Sequence, residues 1–194
     1  REHLIFLADE EGDTLFVIIR GKVKVTQFSE SGKEVIFSML NDGDFFGDMS
    51  LLDGKPRSAS IITAEESELL LLRRQDFHRL IETHPKIALS LLKEITLRLR
   101  KADERIQSLA LLDVSGRVAG ILLQIADESG KKTPEGGIFI RSRPTHQELA
   151  NMVGTTRETV TRILKQMESR NYIVMDGKNI IILNPETLRR DLYQ

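Results

Sequence analysis

The sequence predicts an α+β protein in three parts: an antiparallel β jelly roll, one long helix and a winged helix-turn-helix. The first observation is a series of short β-branched and aromatic segments between turns in residues 1–84. The second is an apolar heptad in residues 85–112, with no glycine or proline after Pro85. The third is a pair of helix starts on either side of Gly154, followed by a hairpin pattern, within residues 113–194.

Composition excludes several classes of protein. The 194 residues include no cysteine, which excludes disulfides, iron–sulfur clusters and thiolate zinc sites. No apolar run approaches the roughly 20 residues that a membrane-spanning helix needs, and no signal peptide is recognisable, so we expect a cytoplasmic protein. Residues 1–84 hold 10 basic and 16 acidic residues, whereas residues 113–194 hold 12 and 10. This uneven charge is a weak indication that the C-terminal part binds nucleic acid.

Six apolar segments of residues 1–84 are predicted strands, because they are rich in β-branched and aromatic residues or alternate with polar ones. They are Leu4–Leu7, Leu15–Ile19, Lys22–Thr26, Val35–Leu40, Ile61–Ala64 and Glu68–Leu72. A long loop through Ser58 separates the fourth from the fifth. After the last strand, Asp76 is predicted to cap a short helix, Phe77–Glu82.

The loop Phe46–Ser60 is the candidate binding site of this part. Arg57 offers a planar fork of donors that suits a phosphate, and Ser58 adds a hydroxyl. The carboxylate of Asp48 could accept hydrogen bonds from sugar hydroxyls. The alternative is an ordinary surface loop in which Arg57 pairs with Asp48 or Asp53.

This loop resembles the phosphate-binding cassette of cyclic-nucleotide-binding domains, whose pattern is roughly F-G-E-x-x-L-L-x-x-x-P-R-S-A. The resemblance implies that Arg57 and Ser58 hold a cyclic phosphate and that Gly47 and Asp48 face the ribose. The family has Glu where this chain has Asp48, so the carboxylate reaches about one methylene less far. It also implies a helical segment before Leu4, so we expect N-terminal sequence to be missing. The effector-binding residues expected on the loop are Gly47, Asp48, Met49, Ser50, Arg57 and Ser58.

The heptad of residues 85–112 predicts a helix of about seven or eight turns. Charged residues such as Arg98 and Glu104 flank its apolar positions, which favours the seam of a homodimer over a single buried core helix. The interface positions are Ala88, Leu92, Ile95, Leu99, Ala102, Ile106 and Leu109.

The long helix also bears on the effector. In bacterial regulators that carry this cassette, a Thr and a Ser of the helix, one from each subunit, contact the nucleotide base. Alignment by resemblance places those positions at Ala102 and Asp103, which do not supply the two hydroxyls. Asp103 is alternatively a solvated residue that pairs with Arg100 or Arg105. Cyclic AMP, cyclic GMP, cyclic di-GMP, another small anion or no ligand at all therefore remain open.

Residues 113–144 are predicted to connect the long helix to the helix-turn-helix. Asp113 is the expected N-cap of a helix Val114–Glu128 that Gly130 closes. The junction Leu111–Asp113 is the expected hinge between the domains 1–84 and 113–194. A polar loop then leads to a strand, Ile138–Ile140.

Two short helices follow, with Gly154 at the turn between them. Thr145 with Glu148, and Thr155 with Glu158, each match the capping-box pattern. The predicted buried stripe is Leu149, Ala150, Val153, Val160, Ile163, Leu164 and Met167. The opposite face of the second helix carries Thr156, Arg157, Glu158, Thr161, Arg162 and Lys165. A hairpin, Tyr172–Met175 and Ile180–Leu183 with Asp176-Gly177 as its turn, adds a wing.

This segment resembles the winged helix-turn-helix of the Crp/Fnr transcription regulators. The family run G-x-[ST]-R-E-[TM]-V-x-R matches Gly154–Arg162, and both motifs stand in the family's order. The resemblance implies a homodimeric, effector-controlled bacterial regulator that binds palindromic double-stranded DNA and acts on RNA polymerase. The expected DNA-binding residues are Thr145, Thr156, Arg157, Glu158, Thr161, Arg162 and Lys165.

Four other functions are weighed against this one. A ligand sensor that serves an enzyme or channel would carry no DNA reader, and a regulator with an empty pocket would bind DNA constitutively. An enzyme is disfavoured because the four histidines are scattered and no nucleophile–base pair or metal-ligand spacing is found. Haem sensing would need an iron ligand such as His78, but we expect a structural role for this residue, which lies beside Phe77 at the start of a short helix.

Overall fold

The first seven strands form two antiparallel sheets in the computed structural model, which describes residues 2–191. The strands are β1 Leu4–Phe6, β2 Thr14–Arg20, β3 Val23–Phe28, β4 Glu34–Leu40, β5 Phe45–Phe46, β6 Ser60–Thr63 and β7 Glu68–Arg73. One sheet has the order β1-β6-β3-β4 and the other β5-β2-β7. The predicted antiparallel β-domain is confirmed.

Strand β2 contributes to two apolar clusters because successive side chains of a strand point to opposite faces. Ile18 is buried with Val23, Phe46 and Ile61. Leu15 is buried in a second cluster with Leu51 and Phe77. The second cluster ties two short helices to the sheet β5-β2-β7.

The prediction for this part was wrong at these two helices and at β5, which lies where a loop was predicted. Helix α1, Asp48–Asp53, lies inside the predicted loop. Helix α2, Arg74–Thr83, begins before Asp76, and its N-cap residue Arg73 makes no capping side-chain hydrogen bond within residues 2–191. Instead, the Arg74 backbone N–H donates to the carbonyl oxygen of Asp13 over 2.8 Å. The start of α2 is therefore set by tertiary contacts, and Asp76 lies in its first turn, paired with Arg79.

Helix α3, Pro85–Leu111, is one continuous helix of 27 residues, as the heptad predicted. None of its residues is buried. Two apolar side chains at heptad positions are largely exposed: Leu99 at 62% and Ile106 at 65%. The chain forms two compact units, Arg1–Arg98 and Leu99–Gln194, so α3 belongs to both.

After the end of α3, the second unit continues with α4, Val114–Ser129. The predicted cap is confirmed, because Oδ1 of Asp113 accepts from the N–H of Gly116 over 2.7 Å. Gly130 ends α4 as predicted, and its N–H donates to the carbonyl oxygen of Ala126. The following strand β8, Lys131–Lys132, pairs with β9, Ile138–Ile140, where a polar loop was predicted.

The remaining elements form the predicted winged helix-turn-helix. They are α5 His146–Val153, α6 Arg157–Ser169, β10 Ile173–Asp176, β11 Asn179–Ile182 and α7 Pro185–Asp191. The wing sheet has the order β10-β11-β9-β8. Asp176 pairs with Asn179, so the hairpin turn is Gly177-Lys178, one residue later than predicted. Helix α7 was not predicted from the sequence. No helix in residues 2–191 is long and apolar enough to cross a membrane.

Two arginines join helices of the second unit at the C-terminus of α5. Arg105 of α3 donates to the carbonyl oxygen of Met152. Nε of Arg117, in α4, donates to the carbonyl oxygen of Val153 over 3.0 Å, and its Nη1 donates to that of Leu112 over 3.0 Å. Cations suit this end of a helix, where carbonyl groups lack partners within the helix.

Candidate functional site

The cassette loop folds around Gly47, which links β5 to α1. Its φ angle is +81°, a left-handed conformation that favours glycine. A Cβ atom here would lie 2.7 Å from Nη1 of Arg57 and 2.7 Å from the carbonyl oxygen of Thr14. Gly47 is therefore required both by the turn and by the close approach of Arg57.

Arg57 is only 5% exposed, and its guanidinium is held by backbone. Nη1 donates to the carbonyl oxygen of Gly47 and Nη2 to that of Thr14, each over 2.9 Å. The guanidinium carbon lies 4.2 Å above the ring centroid of Phe6. The predicted alternative, a pair with Asp48 or Asp53, is not what the structure shows.

The charge of Arg57 has little direct compensation. Its pKa is lowered by burial, and this effect is opposed by the nearby charges of Asp13, Glu10 and Asp48. Its Nε is buried and has no hydrogen-bond partner among the described residues. A guanidinium has five N–H donors, and two of those of Arg57 are used here, so three have no partner among residues 2–191.

Asp48 is buried and paired with a residue that the sequence analysis assigned only to the flank of the heptad. Nη1 of Arg98 lies 3.3 Å from Oδ1 of Asp48, and Nη2 donates to the carbonyl oxygen of Phe45 over 2.6 Å. Arg98 also stacks 4.4 Å above the Phe45 ring and donates to Glu94 over 3.1 Å. One oxygen of the predicted sugar-binding carboxylate is thus engaged within the protein.

The other predicted effector residues fall into three groups. Ser50 is fully buried, so its hydroxyl does not face an open pocket. Met49 and Ser58 are exposed, and the Ser58 hydroxyl donates to Sδ of Met49 over 3.3 Å, its one hydrogen bond within residues 2–191. Ala102 and Asp103 are exposed residues of α3 in the second unit, and their role stays a prediction.

The helix-turn-helix is built on two different caps. Thr145 and Glu148 form the predicted capping box, with Glu148 Oε2 accepting from the Thr145 N–H over 2.7 Å. The second predicted box is wrong. Thr156, and not Thr155, caps α6 and accepts from the Thr159 N–H, whereas the Thr155 N–H donates to the carbonyl oxygen of Ala150 within the turn.

The predicted stripe of α5 and α6 is buried in full. This seating leaves four charged residues of α6 exposed on a shallow concave face: Arg157, Glu158, Arg162 and Lys165. The Glu158 backbone N–H and the Thr156 hydroxyl lower the pKa of the Glu158 carboxyl, which favours its charged, accepting form. The capping residues Thr145 and Thr156 are exposed at the two helix starts.

Thr161 departs from the other residues of this face because it is half-buried and already bonded. Its hydroxyl lies 2.8 Å from Nδ1 of His146 and donates to the carbonyl oxygen of Arg157 over 2.9 Å. His146 was assigned no role from the sequence, because no local pattern marks a contact between residues fifteen positions apart. Among the described residues, no group of histidine and carboxylate side chains is placed to hold a metal ion.

Two protein-family models match the chain. The model of the cyclic nucleotide-binding domain matches residues 1–84, and the model of the Crp-like helix-turn-helix domain matches residues 116–191. Together they span most of the sequence, and each matches the part in which its motif was found.

Curated relatives match over nearly the whole chain. The CRP-like cAMP-activated global transcriptional regulator of Mycobacterium tuberculosis is 36% identical over 191 residues, or 98% of this chain and 84% of that protein. The cAMP-activated global transcriptional regulator CRP of Salmonella typhimurium is 38% identical over 174 residues, or 89% and 82%.

Solved structures agree with the fold. A CooA variant from Carboxydothermus hydrogenoformans matches with a TM-score of 0.86 and 22% identity over 99% of this chain and 84% of that one. The catabolite activator protein of Thermus thermophilus is 30% identical, with a TM-score of 0.52, over 100% of this chain and 88% of that one.

Proposed function

The chain belongs to the Crp/Fnr family of effector-controlled, DNA-binding transcription regulators, and from this premise we propose that it reads a two-fold symmetric DNA site as a homodimer. The observation that carries the proposal is the exposed charged face of α6 above a fully buried stripe. Because its relatives are regulators, we propose no catalytic activity, and because its target is DNA, we propose that it acts in the cytoplasm.

Arg157, Glu158 and Arg162 are the proposed base readers. An arginine fork matches the O6/N7 edge of guanine, and a carboxylate accepts from the N4 amino group of cytosine. Thr145 and Thr156, at helix starts, and Lys165 suit phosphate contacts, which fix the register and carry no sequence information. In a dimer the two reading helices would enter half-sites about 34–36 Å apart.

The DNA proposal is tested with Arg157→Ala on a selected palindrome and a scrambled duplex at fixed salt. We expect specific affinity to fall by about 1–3 kcal/mol, with non-specific binding nearly unchanged because it depends mainly on phosphate charge. Arg79→Ala is the matched control, since Arg79 is an exposed arginine of the other unit. An equal loss on both duplexes would show that Arg157 contacts the backbone and not a base.

Dimerisation is proposed through α3. The seven predicted positions repeat every three or four residues, and the structure leaves the leucine and isoleucine side chains of this row partly or largely exposed. A second copy of α3 would cover them with matching side chains. By family resemblance, we propose that the DNA-bound dimer acts on RNA polymerase at promoters.

We propose a cyclic nucleotide as the effector. The support is the match of residues 1–84 to a cyclic nucleotide-binding domain and the cAMP-activated relatives. Arg57, with unused donors, and the exposed Ser58 hydroxyl are the proposed phosphate ligands. Asp48 is engaged by Arg98, and Ala102 and Asp103 lack the paired hydroxyls, so we expect weaker binding of cyclic AMP than in relatives that have them.

Calorimetry with cyclic AMP, cyclic GMP and cyclic di-GMP tests this effector. Ser58→Ala should weaken binding of the nucleotide that binds by about tenfold, the size of one hydrogen bond to a charged group. Ser58→Ala is a better test of ligand binding than Arg57→Ala because it removes no buried contact and so should leave the fold unchanged. Ser90→Ala, at an exposed position of α3, is the control. If Ser58→Ala binds as wild type does, the assignment of Ser58 is wrong; if no nucleotide binds, the effector class is wrong.

One observation favours a second candidate, a regulator whose DNA binding needs no effector. Both Nη atoms of Arg57 have backbone partners, so these contacts hold the cassette loop by themselves. Equal DNA affinity with and without every nucleotide tested would support this candidate over the first.

A further inference from the structure

His146, the first residue of α5, reaches the DNA-reading helix through a chain of two hydrogen bonds. Its Nδ1 lies 2.8 Å from Oγ1 of Thr161, which lies 2.9 Å from the carbonyl oxygen of Arg157. A threonine hydroxyl has one hydrogen, and a carbonyl oxygen can only accept. If the hydroxyl donates to the carbonyl, Nδ1 of His146 must carry the hydrogen that Oγ1 accepts.

The surroundings of Nε2, the other ring nitrogen, also favour the tautomer with its hydrogen on Nδ1. Nε2 of His146 is buried and has no hydrogen-bond partner within residues 2–191. The guanidinium groups of Arg143 and Arg157 act on the imidazole electrostatically. Positive charge nearby favours a bare nitrogen lone pair at Nε2 over an N–H group, which again places the hydrogen on Nδ1.

We propose that His146 is a positioning residue for DNA reading: its neutral imidazole donates to Thr161 and so fixes the orientation of α6. In mild acid the imidazolium, whose new Nε2–H has no acceptor in this position, leaves it and breaks the bond to Thr161. The proposal rests on the proposed DNA-binding function. Its physical basis is that protonation adds an N–H at Nε2, where the buried site offers no acceptor and two cations are close.

The surroundings of His146 favour its neutral imidazole over the protonated form. Burial, and then Arg143 and Arg157, lower the pKa of the imidazole from its ordinary value of 6.5. On its own helix, the carboxylate of Glu148 is engaged by the capping box. Because the folded pKa lies below the unfolded one, the unfolded chain binds the extra proton first. The stabilisation is therefore fully present above pH 6.5 and is lost as the pH falls below it.

Three variants separate positioning from general stabilisation. His146→Asn places an amide N–H close to the position of Nδ1 and does not titrate, so it should restore the bond to Thr161. His146→Ala and Thr161→Val remove it, and each should weaken specific DNA binding by about five- to tenfold at about pH 8, the size of one hydrogen bond. His78→Asn, at an exposed histidine of the other unit, controls for histidine replacement as such.

The decisive measurement is the pH profile of specific DNA affinity between about pH 8 and 5.5, where ordinary carboxyl groups stay charged. Wild type and His78→Asn should lose affinity on acidification, and His146→Asn should not. Nitrogen-15 NMR of the imidazole in the free protein should show hydrogen on Nδ1 and a bare Nε2.

Three results would overturn the proposal. Stronger binding in acid would mean that His146 contacts a DNA phosphate directly. Hydrogen on Nε2 in the free protein would refute the hydrogen-bond chain, and a profile shared by wild type and His146→Asn would refute the role in DNA reading while leaving the DNA function intact. Absence of specific binding at every pH would instead refute the proposed function as well.

Discussion

Replacement of Arg57 by Ala should destabilise the N-terminal unit even when no effector is present. The change removes two hydrogen bonds from a charged donor, each of 2.9 Å, and a guanidinium stacked 4.2 Å above Phe6. Hydrogen bonds to charged groups contribute about 1.5–3 kcal/mol each, and a partly desolvated cation–π contact about 0.5–2 kcal/mol. Water that enters the truncated site would recover part of this, so we expect a loss of about 3 kcal/mol in the free energy of unfolding.

Urea unfolding followed by circular dichroism, without nucleotide, measures this loss. Arg57→Lys keeps the charge but not the fork, so it should lose less, about 1–2 kcal/mol. Arg79→Ala removes a well-exposed arginine and its surface pair with Asp76, and should cost under about 0.5 kcal/mol. If Arg57→Ala unfolds like wild type, the carbonyl groups of Gly47 and Thr14 do not depend on Arg57, and its burial would serve the ligand alone.

Two further predictions concern α3 and the start of α4. Leu99→Lys places a charge in the proposed dimer seam, so sedimentation at micromolar concentration should show a dimer for wild type and mostly monomer for this variant. Gln107→Lys, which lies off the seam, should remain a dimer. A monomeric wild type would refute the proposed seam. Asp113→Ala should lower the free energy of unfolding by about 1 kcal/mol, because it removes the hydrogen bond from the Gly116 N–H to the capping carboxylate. An unchanged stability would show that another group or water satisfies this N–H.

The features predicted correctly from the sequence are those encoded locally. The heptad of α3, the cap at Asp113 and the capping box of Thr145 depend on residues three or four apart, so their pattern is visible in a window of one or two turns. Helix α1 was missed because it has only six residues and is held by the burial of Leu51. The start of α2 was misplaced because a carbonyl group at Asp13, far away in sequence, supplies its first partner.

The candidate sites show the same division. The motifs brought Arg57, Ser58 and Arg157 to attention because their spacing is local. The residues that hold them in place were not predicted, since Arg98 meets Asp48 across 50 positions and Arg57 meets Thr14 across 43. Such contacts depend on how strands and helices pack, and no charge or hydrophobic pattern in a single sequence specifies them.

The arginine contacts at the C-terminus of α5 limit where this protein can bend. Arg105 binds α3 to α5, and Arg117 binds α4 both to α5 and to the carbonyl oxygen of Leu112, inside the predicted hinge. In this conformation these contacts therefore hold the last turns of α3 and the start of α4 against the end of α5, in the helix-turn-helix. In the proposed dimer, a change in the spacing of the two reading helices would have to arise between the two copies of α3, or begin with the release of these two arginines.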